Sequence, residues 1–490
     1  MGRQDQIVNE RKRKLNELRN AGINPYPSKF DVSDYSNLVK EKFKDLKENE
    51  NSKKRVRVAG RVMIKRDLGR LIFSTIKDSN GSLQLVFEKG NKEFDFFKKF
   101  IDSGDFVGVE GSVMKTKTGE ISVLVKKIEI LSKSLLPLPE KWHGLKDDEE
   151  RFRKRYLDVL MNDSVKEIFL KKSKFWQTTR AFLLENGFLE VETPALETST
   201  GGAAATPFKT RHHALDIDVY LRISMGELWQ KKLMVAGFGK TFEIGRQFRN
   251  EGMDAEHLQD YSQMEFYWAY ADFNDGMELV EKLYKKVAKE VLGSLKFETH
   301  GFKIDLSKKW ELYDYEKTIK KYTGIDIYKD DEKKIKKKLE ALKVEYDKRV
   351  DKWRLIDILW KYCRRQLTGP GFLVGQPVEI SPLAKRSEKD KRKVEQFQVI
   401  IAGSELGNGY SELNDPEDQE NRFKEQVKAK DKGDAEAHMH DKSFVEALEY
   451  GMPPTCGFGF SERLFAFLVD KPVRECQLFP LVKPENSDKD

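Results

Sequence analysis

Arg249, Glu251, His257, Tyr261, Glu265 and Tyr267 fall within one short run, FRNEGMDAEHLQDYSQMEFY. Arg249 stays charged at any physiological pH and presents a planar fork suited to a carboxylate or a phosphate. The apolar alternation around Glu265 and Tyr267 predicts a strand, and the charged segment before it a turn. A strand–turn–strand of this kind would grip an anionic nucleotide and a cationic group together. An isolated Arg-x-Glu is as much at home in the ion pairs of a surface hairpin, so the run needs support from elsewhere.

Two further segments supply that support. Phe188-Leu-Glu-Val-Glu-Thr-Pro194 reads as a helix running into a strand that ends at a proline. Gly457-Phe-Gly-Phe-Ser-Glu-Arg463, followed by LFAFL, reads as a glycine-rich strand and then a helix carrying an arginine. In chain order the three segments resemble motifs 1, 2 and 3 of class II aminoacyl-tRNA synthetases, and the resemblance runs from about Arg11 to Pro484. It implies an α+β fold: an N-terminal five-stranded OB-fold β-barrel, then a catalytic domain whose antiparallel sheet is flanked by helices, with a helical insertion.

Aminoacylation brings the amino-acid carboxylate in line with the α-phosphate of ATP while charge is neutralised at phosphorus. By resemblance, Arg249 and Arg463 are the catalytic pair. Arg249 clamps carboxylate and α-phosphate, Glu251 and His257 flank the nucleotide, and Tyr261 stacks under adenine. Arg463 covers the other face or the γ-phosphate. Mg²⁺ would bridge the phosphates through hard oxygen ligands, expected seven residues apart on a strand within Val394–Glu412. Glu405 is present, but its counterpart is Gln398, which predicts weaker Mg²⁺ affinity.

Specificity follows from sign. A lysine ammonium offers three donors and no acceptor, so its pocket must supply carboxylates and a hydroxyl. Resemblance to lysyl-tRNA synthetases places Glu412, Glu265 and Tyr267 at the ε-amino group and Gly202 and Glu227 at the α-amino group. Arg249 and Asn408 then face the carboxylate. The GGAAA run at 201–205 is similar to the loop that closes over lysine in that family. An aspartate-activating relative would need a basic residue where these positions carry acid. The chain departs from the family pattern at His257-Leu-Gln-Asp-Tyr261, at ISMG between Arg222 and Glu227, and at FSER in motif 3.

The implied reaction is ATP-dependent activation of L-lysine and its transfer to the 3′ end of tRNA(Lys). Motif 1 implies a homodimer. The alternatives are an aspartyl- or asparaginyl-type synthetase, and a paralogue that binds RNA without aminoacylating it.

The elements that must position these residues are legible more coarsely. A chain of 490 residues exceeds one ordinary core. Residues 1–50 read as a helical extension holding a basic amphipathic helix over 9–21, either solvated or an arm for RNA phosphates. Residues 51–135 carry five short alternating strands, with a helical segment, FDFFKKF, between the third and fourth. That order is the OB-fold, whose open face binds oligonucleotides. Phe73 and Gln84 lie on adjacent strands, and Arg66 and Glu120 near loops. Resemblance to the anticodon-binding barrel of lysyl-tRNA synthetases gives these four the anticodon, Phe73 stacking on a base for roughly 1–3 kcal/mol.

A linker over 136–150 leads to the catalytic domain at 151–490. Its lysine-dense insertion, about 295–370, reads as solvated helices without chemistry. His438-Met-His440 lies in a charged helical stretch and reads as a solvated pair rather than a metal site. The net charge of +8 suits a polyanionic partner. No apolar run approaches the ~18 residues of a membrane span, no signal peptide opens the chain, and three scattered cysteines suggest no disulfide framework. The expectation is a cytoplasmic protein with no membrane partner.

Overall fold

A computed structural model describes residues 2–139, 147–199, 201–203, 205–252, 254, 257–347, 350–431 and 440–484. The chain forms two compact units, Met1–Leu157 and Asp158–Asp490.

In the first unit, strands Asn51–Asp67, Leu71–Lys77, Ser82–Glu88, Phe106–Lys115 and Ile121–Ser132 close into a barrel. Their spatial order is first, second, third, fifth, fourth. The alternation that marks them in sequence is the alternation of the two barrel faces: Ile72 and Ile76 are buried while Phe73 between them is not. The helix expected between the third and fourth strands spans Lys92–Phe100, is capped by the Asn91 side chain, and drives Phe94 and Phe97 into the core. The N-terminal helix covers Arg3–Asn20 and is docked, not free. Leu15 and Leu18 are buried, and the Arg11 guanidinium donates to the carbonyls of Ser103, Ser134 and Leu136. An arginine with its donors committed to carbonyls is a structural fastener, so the phosphate-arm reading does not hold for it.

The second unit is built on an eight-stranded sheet. Its strands, edge to edge, are Glu311–Asp314, Gly371–Val374, Gln396–Ile401, Ser404–Ser411, Thr455–Ser461, Asp260–Ala269, Lys240–Phe248 and Leu189–Glu190. The six central strands pair antiparallel, as expected, whereas the pairing at each edge is parallel. Beneath the sheet, Phe397 and Phe458 stack with ring centroids 5.5 Å apart, and Phe175, Phe266 and Phe460 extend the same core.

Two readings of local structure change. The metal-ligand segment is a hairpin rather than one strand. Ala402 and Gly403 both adopt positive φ, 48° and 69°, which turns the chain back between Ile401 and Ser404. The 295–370 insertion is likewise more than solvated helix. It contributes the edge strand Glu311–Asp314 to the main sheet. Its helices Tyr315–Thr323, Glu332–Ala341 and Lys352–Arg364 bury Ile319, Ile335, Leu339, Leu355 and Trp360 in a core shared with Leu373 and Ile400 of the main sheet.

Candidate active site

The motif 2 run folds as two antiparallel arms, Lys240–Phe248 and Asp260–Ala269, with Glu243 opposite Glu265 and Gln247 opposite Tyr261. Arg249 and Glu251 lie just past the first arm, in the connecting loop rather than on the strand. The Arg249 amide donates to the Gln259 carbonyl at 2.7 Å, and its guanidinium lies over the Tyr261 ring at 5.7 Å. His257 pairs through Nδ1 with the Asp254 carboxylate at 2.8 Å. Arg463 opens the helix Arg463–Leu468, delivered by the glycine strand Thr455–Ser461.

These elements enclose one cavity of about 370 Å³. Every catalytic-unit residue singled out from sequence lines it: Arg249, Glu251, His257, Tyr261, Arg463, Gln398, Glu405, Gly202, Glu227, Glu265, Tyr267, Asn408 and Glu412.

At one end the cavity is acid-lined and closed. Glu227 starts the helix Glu227–Val235, Glu265 and Tyr267 come from the second motif 2 arm, and Glu412 follows the strand Ser404–Ser411. All four are buried. Glu265 accepts from the Met225 amide at 3.0 Å, the Tyr267 hydroxyl at 3.1 Å and the Gln263 amide. Burial, reinforced by the charge of Glu227, pushes its carboxyl up to about 7 against those bonds. Glu412 is pushed up to about 8 by burial and by Glu227 and Glu265, although Lys231 opposes them.

The glycines flanking these acids are steric necessities. A Cβ on Gly457 would lie 2.0 Å from a Glu412 oxygen, and one on Gly459 would lie 2.7 Å from Glu265 Cγ. Gly202 has φ +85°, and its Cβ would meet Ser224 and Glu227 at 2.6 and 2.7 Å. The glycine turn at 201–202 is therefore packed directly against an acid of the pocket. The divergent ISMG segment also turns inward: Met225 supplies the amide that Glu265 accepts, and Ser224 donates to the Gly201 carbonyl at 3.1 Å.

Sequence reasoning missed a cation here. Lys231 is fully buried, its ammonium 2.6 Å from Glu412 and 2.7 Å from Glu227. Tyr410 donates its hydroxyl to the same Glu227 carboxylate. Burial pushes the Lys231 ammonium down, but the two carboxylates outweigh it and hold the group above its ordinary value. Glu and Lys four apart on a helix usually mark a solvated pair, so nothing local announced this one. The acid pocket is thus partly neutralised from within the chain, and Glu265 is the carboxylate held only by neutral donors.

The cavity is also lined by Gln398 and Glu405, on the two strands of the hairpin. Glu405 is held from behind by the insertion: Trp360 Nε1 donates to its Oε1 at 2.6 Å, and Arg364 Nη1 lies 3.8 Å from its Oε2. The insertion is thus tied to the site and not inert. Asn408, exposed, accepts from Gln396 at 2.8 Å. No cluster of three or more His, Cys, Asp or Glu suited to a metal occurs among the described residues. A carboxylate and an amide oxygen facing one cavity fit Mg²⁺ held mainly through nucleotide phosphates, the usual arrangement for that ion. His440 pairs with Glu420 at 2.7 Å, and His438 lies outside the described residues.

On the barrel, Arg66 sits directly opposite Phe73, and Gln84 opposite Thr75 on the next strand pair. Residues paired across antiparallel strands share a face, so these line one surface, with Phe73 outside the core cluster. Gln84 already accepts from Ser122 at 2.8 Å, and Glu120 pairs with Lys40 at 2.9 Å.

An antiparallel sheet that carries a motif 2 hairpin, a glycine strand and two converging arginines is the catalytic core of a class II tRNA synthetase. Residues 147–483 match the model for tRNA synthetases class II (D, K and N), and residues 56–131 match that for an OB-fold nucleic acid binding domain. The chain is 44% identical over 487 residues to the lysine–tRNA ligase of Thermotoga maritima, covering 98% of this chain and 97% of that one. It is 45% identical over 476 residues to that of Fervidobacterium nodosum, covering 96% and 93%. The chain belongs to the lysine–tRNA ligase family.

Proposed function

We propose that this protein activates L-lysine with ATP to lysyl-adenylate and transfers it to the 3′ end of tRNA(Lys). The observation that carries the reading is one cavity with buried Glu227, Glu265, Glu412 and Tyr267 at one end and Arg249 and Arg463 at the other. Glu265 and Glu412 receive the ε-ammonium with Tyr267, Gly202 and Glu227 receive the α-ammonium, and Asn408 helps to orient the carboxylate. Arg249 draws carboxylate and α-phosphate together, Glu251 and His257 flank the nucleotide, Tyr261 stacks under the adenine, and Arg463 covers its other face or the γ-phosphate. Glu405 and Gln398 would hold Mg²⁺, which neutralises phosphate charge when bound. No side-chain nucleophile is needed, since positioning and electrostatics carry the reaction.

An aspartyl specificity is disfavoured because Lys231, set among these acids, is bound by two of them and is not free to pair with a side-chain carboxylate, and an asparaginyl one because a neutral amide would leave the buried acids unmatched in charge. A non-catalytic paralogue is disfavoured by the complete set of nucleotide-facing residues. Arg66, Phe73, Gln84 and Glu120 would read the anticodon. Exposed Leu170 and Leu184 on the motif 1 helix, with exposed Leu189 beyond it, favour a second copy of the chain as partner. Among the described residues no helix is long and apolar enough to cross a membrane, and Cys363, Cys456 and Cys476 are free, which supports a reducing cytoplasm. ATP–pyrophosphate exchange with each proteinogenic amino acid tests the reading. Stimulation by lysine alone is expected; stimulation by aspartate or asparagine, or by none, overturns it.

A further inference from the structure

Three buried carboxylates, Glu227, Glu265 and Glu412, surround one buried ammonium, Lys231. With all acids ionised, the group is left with two unmatched negative charges. Free L-lysine carries two ammonium groups and one carboxylate, and in the reading above the carboxylate faces Arg249. The charges therefore match without remainder.

We propose that Lys231 is a specificity-determining residue that sets the pocket's charge, so that the carboxylates are fully ionised only when a ligand brings two ammonium groups. The inference rests on the lysine reading of the site. Lys231 acts through Glu227 and Glu412, which it holds at 2.7 and 2.6 Å, and touches no reacting atom.

In the unliganded pocket two unmatched negative charges lie close together in a water-poor space, and such a group lowers its energy by taking up protons. The directions found for Glu265 and Glu412 agree. Opposite Glu265 on the neighbouring strand lies the buried Glu243 carboxylate, itself matched by Arg222 at 2.6 Å. Tyr267 and Tyr410 are held neutral, both pushed well above the ordinary phenol range by burial and the surrounding acids. Cys456 is likewise pushed up by burial. The helix Lys442–Glu449 sets the Phe444 ring 5.7 Å from the Lys231 ammonium. No other basic side chain is paired with these carboxylates among the described residues.

Lysine entering the site must displace those protons to solvent. Its affinity therefore rises with pH while the empty pocket still holds protons and levels off once both carboxyls are ionised without it. Without Lys231 three charges are unmatched in the empty pocket, which then holds its protons to higher pH, and one charge stays unmatched beside bound lysine.

The test is titration calorimetry of L-lysine into the full-length protein, in buffers of differing ionisation heat, between about pH 6 and pH 9. Wild type is expected to release protons near neutrality, with affinity rising about tenfold or more across the range and flattening at its upper end. Lys231→Met, checked for folding by its ATP-induced thermal shift, is expected to keep releasing protons at the upper end of the range and to flatten only at higher pH than wild type. Lysine binding without proton release in wild type overturns the inference and leaves the lysine reading intact. A variant whose affinity flattens at the same pH as wild type does the same. Failure of wild type to bind lysine at all overturns both.

Discussion

The two ends of the cavity are built differently. At the acid end every charged group is buried and already engaged: Glu227 by Lys231 and Tyr410, Glu412 by Lys231, Glu265 by Met225, Tyr267 and Gln263. At the nucleotide end the groups are half-buried or exposed. His257 is turned to Asp254, and Arg249 rests at 3.4 Å from the Ile223 carbonyl. The acid end is organised before the ligand arrives, as discrimination requires, because a rigid, desolvated partner set punishes a ligand that cannot satisfy it. On the proposed reading the nucleotide end meets a triphosphate, which every amino acid shares, and has less to discriminate.

Substitutions at the two ends should therefore fail differently. Arg249→Ala removes charge stabilisation at the phosphorus and is expected to lower exchange by about 10²–10³-fold at saturating lysine. Glu412→Gln leaves Lys231 with one carboxylate and the substrate ammonium with one fewer, so lysine KM should rise by about 10–100-fold with ATP KM nearly unchanged. A loss shared equally by both substrates would erase the distinction. Phe73→Ala should weaken tRNA charging by about tenfold and spare exchange, since the barrel takes no part in adenylate formation. Gln398→Glu is the smallest change and sharpens the nucleotide end: restoring a second carboxylate should lower the Mg²⁺ needed for half-maximal exchange by a few fold. An unaltered Mg²⁺ curve would show that position 398 is not a ligand.

What could be read beforehand was what is local. Resemblance to the three ordered motifs announced Arg249, Glu265, Tyr267, Glu412 and Arg463, and the barrel strands showed their alternation. What escaped depends on distant or subtle geometry. Trp360 reaches Glu405 across 45 residues, so the insertion read as inert. The Ala402–Gly403 turn interrupts an otherwise continuous apolar alternation and passed for strand. Lys231 sits four residues after Glu227, a spacing indistinguishable from a surface pair until the sheet closes over it. The glycines at 457 and 459 were visible as a motif, but their reason, room for Glu412 and Glu265, appears only when three strands are side by side.

The central claim, that the pocket recognises charge rather than chain length, is tested most directly by exchange kinetics with lysine against norleucine, which keeps the carbon chain and lacks the ε-ammonium. Recognition by buried carboxylates predicts discrimination of about 10⁴-fold in kcat/KM. Norleucine activated within about tenfold of lysine, the margin an apolar pocket would allow, would contradict it.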